Sequence, residues 1–405
     1  MGKPKHFTGQ PIFNQLLSLI PRTTINRLVR THKADRYCKK FKCYDHLVTM
    51  LFSTLQQCSS LRELMTGMQA CYGRLKHLGL IYTPRRTTLA DANCRRPVGF
   101  FEDLYHEIYR LHYGRLPDSL KGKTKLDRLF IIDATTVSLF STVLAGAGSF
   151  GLNGKKKGGI KAHLLVRAKD NVPCFVRLSE AVQNDRKFLP YVQLPAGSIV
   201  AMDRGYNNYG QLRKWTQQKV TWITRPDARA VYTIVSEKTP DDKDTTAGIT
   251  ADYCIELGNP KTFRPQARQK VRLIKLYDEL NQKHYDFTTN DFRSAPRTIA
   301  DIYKQRWQIE TLFKRIKQNF NLHNFLGDTE NAIRIQLWCT LIADLLIKIT
   351  KDKISKRSWS MANLTGLVRL HLFTYINLRY FLEHPDKALL DYQCPEESQL
   401  LLFKT

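Results

Sequence analysis

Three acidic residues sit where carboxylates are costly. Asp133 interrupts the apolar run Leu129-Phe130-Ile131-Ile132, and Asp203 closes the run Ile199-Val200-Ala201-Met202. Glu310 lies in YKQRWQIETLFKRIK, a helix-like stretch crowded with cations. A carboxylate beside a buried strand is expensive unless it is paired or holds a metal. Three that converge offer hard oxygen ligands to divalent metal, and metal held in this way can cut phosphodiesters. In a chain with net charge +28, the phosphodiester at hand is nucleic acid.

The spacing around Glu310 is informative. Tyr303, Arg306, Glu310 and Lys317 stand at i, i+3, i+7 and i+14. At roughly 100° per residue, all four fall within about 60° of one helix face. Ile302, Ile309, Leu312, Phe313, Ile316 and Phe320 form a separate apolar stripe. The helix can therefore bury one side and present a row of Tyr, Arg, Glu and Lys. Arg306 and Lys317 would neutralise phosphates on either side of a scissile bond. Tyr303 would donate to a phosphate oxygen or pack on a sugar. The plainer alternative is an exposed helix in which Arg306–Glu310 and Glu310–Lys314 are simple ion pairs.

The elements that must position these residues alternate in texture. Up to about residue 120 the apolar spacing is helical, as in LVTMLFSTLQQCSSLRELMTGM and GFFEDLYHEIYRLHYGRL. Between these lies RLKHLGLIYTPRRTTLADANCRRPVG, with Arg74, Lys76, Arg85, Arg86, Arg95 and Arg96. Short helices with clustered Arg suit DNA docking, and a plain helical oligomerisation domain would look similar; 1–120 is expected to be a helical DNA-binding domain. From 121 to 225 the order reads as three strands, helix, strand, helix, strand, an α/β sheet with an initial meander. Its strands include RLFIIDATTVSLF, GGIKAHLLVRA, VPCFVRLSE, GSIVAMD and KVTWITRP. Residues 226–290 read as a β-rich insertion built from AVYTIVS, ITADYCIELG, QKVRLIKLYD and KHYDFTTND. Residues 291–350 return to helix and carry Glu310, and 351–405 form a C-terminal helical region.

Composition narrows the classes of function. Lys plus Arg number 64 against 36 acidic residues, and the isoelectric point near 9.8 fits a nucleic-acid binder better than a ribosome-associated or heparin-like surface. The nine cysteines include no CxxC pair, which argues against a zinc site and for a reduced cytoplasmic protein. The N-terminus MGKPKHFTGQPIF lacks a signal-peptide core, and the apolar stretch Leu337 to Ile349 is too short to span a bilayer. No membrane role is expected.

The pattern Y-x2-R-x3-E-x6-K, here Tyr303, Arg306, Glu310 and Lys317, resembles the YREK signature of the insertion-sequence-four family of bacterial DDE transposases. IIDATTVSLF with Asp133 and VAMDRGYNNYG with Asp203 resemble that family's first and second Asp strands. KKKGGIKAHLL resembles its G-x-K-x-H strand through Gly159, Lys161 and His163. The resemblance covers about residues 125–350. It implies a ribonuclease-H-like core and two Mg2+ ions, replaceable by Mn2+, held by Asp133, Asp203 and Glu310. These ions would activate water or a DNA 3′-hydroxyl. It also implies cut-and-paste transposition on double-stranded DNA, with terminal inverted repeats and target as substrates and a homodimer in the synaptic complex. Relatives pass through a hairpin, with a flipped base stacked on a Trp. Here KHYDFTTND offers His284 or Tyr285 in its place. Lys314 matches a basic position that lies near DNA phosphates in relatives.

Other residues are weighed on their own settings. Arg204 either meets a phosphate or pairs with an acidic neighbour. Lys155, Lys156 and Lys157 form a basic loop, with Lys156 the expected DNA contact. Lys161 is expected on the active side and His163 as a satisfied core histidine. Trp215, Trp222 and Trp338 are expected in the core. A nuclease without strand transfer would share the three carboxylates. A non-catalytic DNA-binding descendant would have no use for them.

Overall fold

β-branched and aromatic runs build a ten-stranded sheet. In this computed structural model the described residues are 9–80, 82–114, 124–138, 148–150, 156–258, 269–322 and 324–390. The strands are β1 (Leu129–Ser138), β2 (Gly148–Phe150), β3 (Lys156–Arg167), β4 (Val172–Glu180), β5 (Ile199–Met202), β6 (Thr221–Thr224), β7 (Tyr232–Lys238), β8 (Ile249–Leu257), β9 (Gln269–Asp278) and β10 (Lys283–Thr289). Their order is β2-β3-β1-β5-β6-β10-β9-β8-β7, with β4 also paired to β3. β1, β5 and β6 run parallel at the centre, and the outer pairs are antiparallel. All four residues of β5 are buried, as expected of a parallel strand covered on both faces. The β5–β6 crossover is the helix Tyr209–Gln217, whose first turn is capped by the Asn208 side chain accepting from the Gln211 amide at 3.2 Å. Trp215 and Trp222 are fully buried there.

Two local expectations change. No α-helix lies between β4 and β5; the segment forms two short 3-10 turns, Asp185–Lys187 and Leu189–Tyr191. Pro190 and Pro195 lack the amide hydrogens that a helix would need there. The segment after β6 does not stand apart as an insertion. It extends the sheet, joined by Thr288↔Thr224 and Thr289↔Ile223. Lys155 lies outside the described residues. Lys156 and Lys157 begin β3 opposite β2, with only their backbone described.

The chain divides into two compact units, Met1–Tyr113 with Arg315–Thr405, and Gly114–Lys314. The second holds the sheet. In the first, the helix Glu330–Ile349 is buried around nearly its whole circumference. It packs on helices Cys43–Gln56 and Val98–Tyr113 and on Met361–Leu370. A helix apolar on all sides needs partners on all sides. The N-terminal and C-terminal helices, which read as separate regions, therefore share one core. Trp338 is buried there beside Tyr105 at 5.7 Å, and Asp344 is paired with Arg315 at 2.7 Å.

Candidate active site

Parallel pairing of β1 with β5 matches Ile132 to Met202, so the next residues, Asp133 and Asp203, stand side by side where the two strands leave the buried centre. Strand ends at a parallel centre are where α/β sheets present reactive groups. The third carboxylate arrives on a helix, with a change from the expected geometry. The stretch around Glu310 is two helices, Pro296–Lys304 and Trp307–Asn319, joined through a turn at Gln305–Arg306. Tyr303 ends the first, Arg306 sits in the turn, and Glu310 occupies the first turn of the second. The four residues are therefore not one straight row.

The turn aims Arg306 inward. Its guanidinium donates to Asp133 Oδ2 at 2.8 Å and to Glu310 Oε1 at 2.7 Å. Asp133 Oδ1 also accepts from the Ala134 amide at 2.8 Å. Burial raises the Asp133 carboxyl to about 6, and Asp203 and Glu310 push the same way; the Ala134 amide and Arg306 oppose them. These influences put Asp203 and Glu310 each within electrostatic reach of Asp133. Glu310 is more open than Asp133, its side chain 42% exposed against 19%. Arg306 is held in its charged form: burial works against it, and Tyr303, Asp133 and Glu310 outweigh burial.

Tyr303 is buried rather than displayed. Its ring packs on Phe287 at 4.9 Å, and Phe287 lies parallel to Tyr285 at 6.4 Å. Tyr285 carries Arg225 near its face at 5.7 Å. An aromatic file, Tyr285–Phe287–Tyr303, thus runs from β10 to Arg306. His284 projects to the other side of β10 and lies tilted against the Tyr277 ring, centroids 4.7 Å apart. Burial first, then Asp203, push the Tyr303 hydroxyl up to about 12, against Arg306 and Arg225.

Among the described residues, no group of three or more His, Cys, Asp or Glu stands ready-made to hold a metal ion. The Arg306 fork already spans two of the carboxylates. The donor set still suits a hard cation, since all its ligands are carboxylate oxygens. Tyr303 Oη and Arg306 Nε are buried beside it without hydrogen-bond partners. Unsatisfied polar atoms of this kind await water or a ligand.

Lys161 differs from its expected placement. It pairs across the strands with Thr136, whereas Asp133 pairs with Leu164. Partners opposite one another share a sheet face, so Lys161 leaves the sheet on the side away from Asp133. There it binds Asp185 at 2.8 Å. His163 shares that face, stacked on Phe188 at 5.1 Å and bonded to Tyr206 Oη at 3.1 Å and Ser179 Oγ at 3.0 Å. Burial lowers His163 to about 4, with Asp185 opposing and Lys161 and Arg177 adding, so it is neutral at pH 7. Burial raises the Tyr206 hydroxyl, and Asp185, Asp133 and Asp203 add to the shift. Asp185 has no mark in the sequence; it sits in the segment between β4 and β5 that reads as a helix and forms 3-10 turns instead, and only the fold carries it to Lys161. Arg204 is exposed, with no carboxylate partner among the described residues. Lys314 is exposed one turn beyond Glu310, and Lys317 is exposed in the last turn of that helix.

The family model for the transposase DDE domain matches residues 124–346, and a domain of unknown function matches residues 8–81. A chain described as a transposase, y4zB, from Sinorhizobium fredii is 28% identical over 298 residues, 72% of this chain and 78% of that one. The transposase for insertion sequence element IS4SA of Synechocystis is 22% identical, over 78% of this chain and 87% of that one. The transposase for insertion sequence element IS5377 of Geobacillus stearothermophilus is 25% identical, over 60% and 61%. A piggyBac transposase synaptic complex with hairpin DNA aligns at a TM-score of 0.45 and 11% identity, over 93% of this chain and 81% of that one. No helix among the described residues is long and apolar enough to cross a membrane. The DDE match spans more than half the chain, and the protein belongs to the DDE-domain transposases of insertion sequences, enzymes that cleave DNA and transfer its strands.

Proposed function

We propose that Asp133, Asp203 and Glu310 are the DDE triad of a ribonuclease-H-like core. In this reading the chain is an insertion-sequence-four transposase that acts by cut-and-paste on the terminal inverted repeats of its element. The observation that carries it is the parallel β1–β5 pairing that sets Asp133 beside Asp203, with Arg306 joining Asp133 to Glu310. Bound Mg2+, or Mn2+ in its place, would supply Lewis acidity at the scissile phosphate and at the attacking hydroxyl.

The chain's own residues do the rest. Asp133, raised to about 6, is ionised above that pH, and Arg306 must release one or both carboxylates. The freed guanidinium is then a bidentate donor for a phosphate beside the scissile bond. Tyr303 Oη would donate to the same phosphate once Arg306 has moved. Lys314, Lys317 and Arg204 supply cations for neighbouring phosphates, and Lys156 is assigned to the same strand. Lys161 acts instead by fixing Asp185 behind the sheet. Water attacks at the transposon end and frees a 3′-hydroxyl. That hydroxyl attacks the opposite strand to form a hairpin, with the displaced base on Tyr285, at the end of the aromatic file away from Arg306. A homodimer would hold two ends together. The domain assignment follows, with residues 1–120 docking DNA.

The test uses the full chain, Mg2+ and duplexes carrying the repeats that flank its coding region. Wild type should nick and then excise. Asp133→Ala, Asp203→Ala and Glu310→Ala should each bind DNA as wild type does and lose cleavage by orders of magnitude. Strong cleavage by any one of them refutes the triad. Cleavage without joining of pre-cut ends to target would make the chain a nuclease.

A further inference from the structure

The first unit contains a cavity of about 740 Å³ between the segment His32–Phe41 and the helix Arg86–Arg95. Its lining includes the cations Lys33, Arg36, Lys39, Lys40 and Arg95 around an exposed Tyr37. The loop is built, not loose. Arg96, 4% exposed, donates to the Ala34 carbonyl at 2.7 Å and to Asp35 Oδ1 at 2.8 Å, and it also binds the Phe41 carbonyl. Asp35 in turn accepts from the Cys43 amide at 2.6 Å. One buried arginine thus rivets both ends of the loop. Lys33 (φ 50°) and Tyr37 (φ 60°) both take left-handed backbone, unusual for residues with side chains. Conformations of this kind persist where the surroundings enforce them.

The carboxylates of this cleft are already spent. Asp35 faces Arg96, and Asp91 faces Arg95 at 2.8 Å. That leaves Lys33, Arg36, Lys39 and Lys40 with no acidic partner among the described residues. Tyr37 is 88% exposed, and Arg36 lies against it, with Nη2 donating to its hydroxyl at 2.9 Å. Exposed cations clustered beside an exposed aromatic ring suit a polyanion whose phosphates alternate with sugars.

We propose that this cleft is the docking site of the N-terminal unit for the phosphate backbone of duplex DNA. The lysines neutralise successive phosphates, and Tyr37 packs on a sugar or a base edge. The chain's charge of +28 favours DNA over an acidic protein as the occupant. The proposal rests on the transposase reading for its substrate, yet it makes a separate claim about where DNA is held.

The experiment measures fluorescence anisotropy of the full chain, without divalent metal, on the repeat duplex and on a scrambled duplex of equal length across a salt series. The variant Lys33→Ala/Lys39→Ala/Lys40→Ala should bind both duplexes about tenfold more weakly at about 0.1 M salt. Its slope of log K against log salt should be shallower by about 3. Tyr37→Ala should weaken binding and keep the wild-type slope. Unchanged affinity and slope in the triple variant overturn the cleft, and a wild type that still cleaves in Mg2+ would leave the transposase function standing. The expected slope change with no cleavage by wild type would keep the cleft and remove the catalytic reading. A wild type that binds neither duplex, while capturing an acidic protein through the same lysines, overturns both.

Discussion

Arg306 is a tethered counter-cation. It holds Asp133 and Glu310 at 2.8 and 2.7 Å, where two carboxylates close to a third would otherwise repel. It does not fully offset burial, and the Asp133 carboxyl stays raised to about 6. The consequence for stability has a definite sign. A carboxyl raised on folding favours the native state when protonated. Its contribution is full below about pH 4 and is lost as pH rises through about 6. Asp133→Asn has no proton to lose. Its stability relative to wild type should therefore grow between pH 4 and pH 7.5, by on the order of 1–3 kcal/mol. Thermal melts across that range check this, and a gap independent of pH would refute it. A site that costs stability at neutral pH is consistent with selection for chemistry there.

The elements that deliver Arg306 are held by a second buried pair. Arg272 on β9 and Asp252 on β8, each 4% exposed, meet through two bonds of 2.7 Å. Arg272 also donates to the carbonyls of Asp291 and Ser294, at 3.0 and 2.6 Å. These residues lead into the helix Pro296–Lys304, and Arg297 at its start reaches Asp244 at 2.9 Å. The strands after β6 therefore orient the turn from which Arg306 reaches the carboxylates. Arg272→Met leaves Asp252 buried and unpaired, which should cost about 3–5 kcal/mol. Urea unfolding followed by circular dichroism measures the loss. Arg272→Met/Asp252→Leu should recover most of it, because replacing both charges removes the orphan. A single variant as stable as wild type would show that the pair does not hold this corner.

Across the whole molecule the excess of 64 basic over 36 acidic residues is spread along the chain. Each phosphate neutralised on duplex DNA releases counterions and steepens the salt dependence by about 0.9 in the logarithmic slope. An extended footprint of six to ten phosphates should therefore lose about 10³-fold or more in affinity between 50 and 200 mM salt. Filter binding of the full chain over that range gives the slope. A slope below about 2 would mean that the charge is not spent on DNA backbone.

Local chemistry was readable along the chain. β-branched runs mark β1, β5, β6 and the four strands that follow, and the apolar settings of Trp215, Trp222 and Trp338 mark them as interior, where they lie. These features depend on neighbours a few residues away, and side-chain type is enough to report them. Pairing between distant segments was not readable. The parallel match of β1 with β5 sets Asp133 beside Asp203, and the antiparallel register of β1 with β3 turns Lys161 to the opposite face. A one-residue shift of register would reverse that facing, and nothing in the local composition encodes it. The turn at Gln305–Arg306 carries no Gly or Pro to announce it, and it converts an expected helical row into an inward-facing arginine. Asp185 and the shared helical core were hidden for the same cause: their partners lie far off in the chain, and only the closed fold brings them within bonding distance.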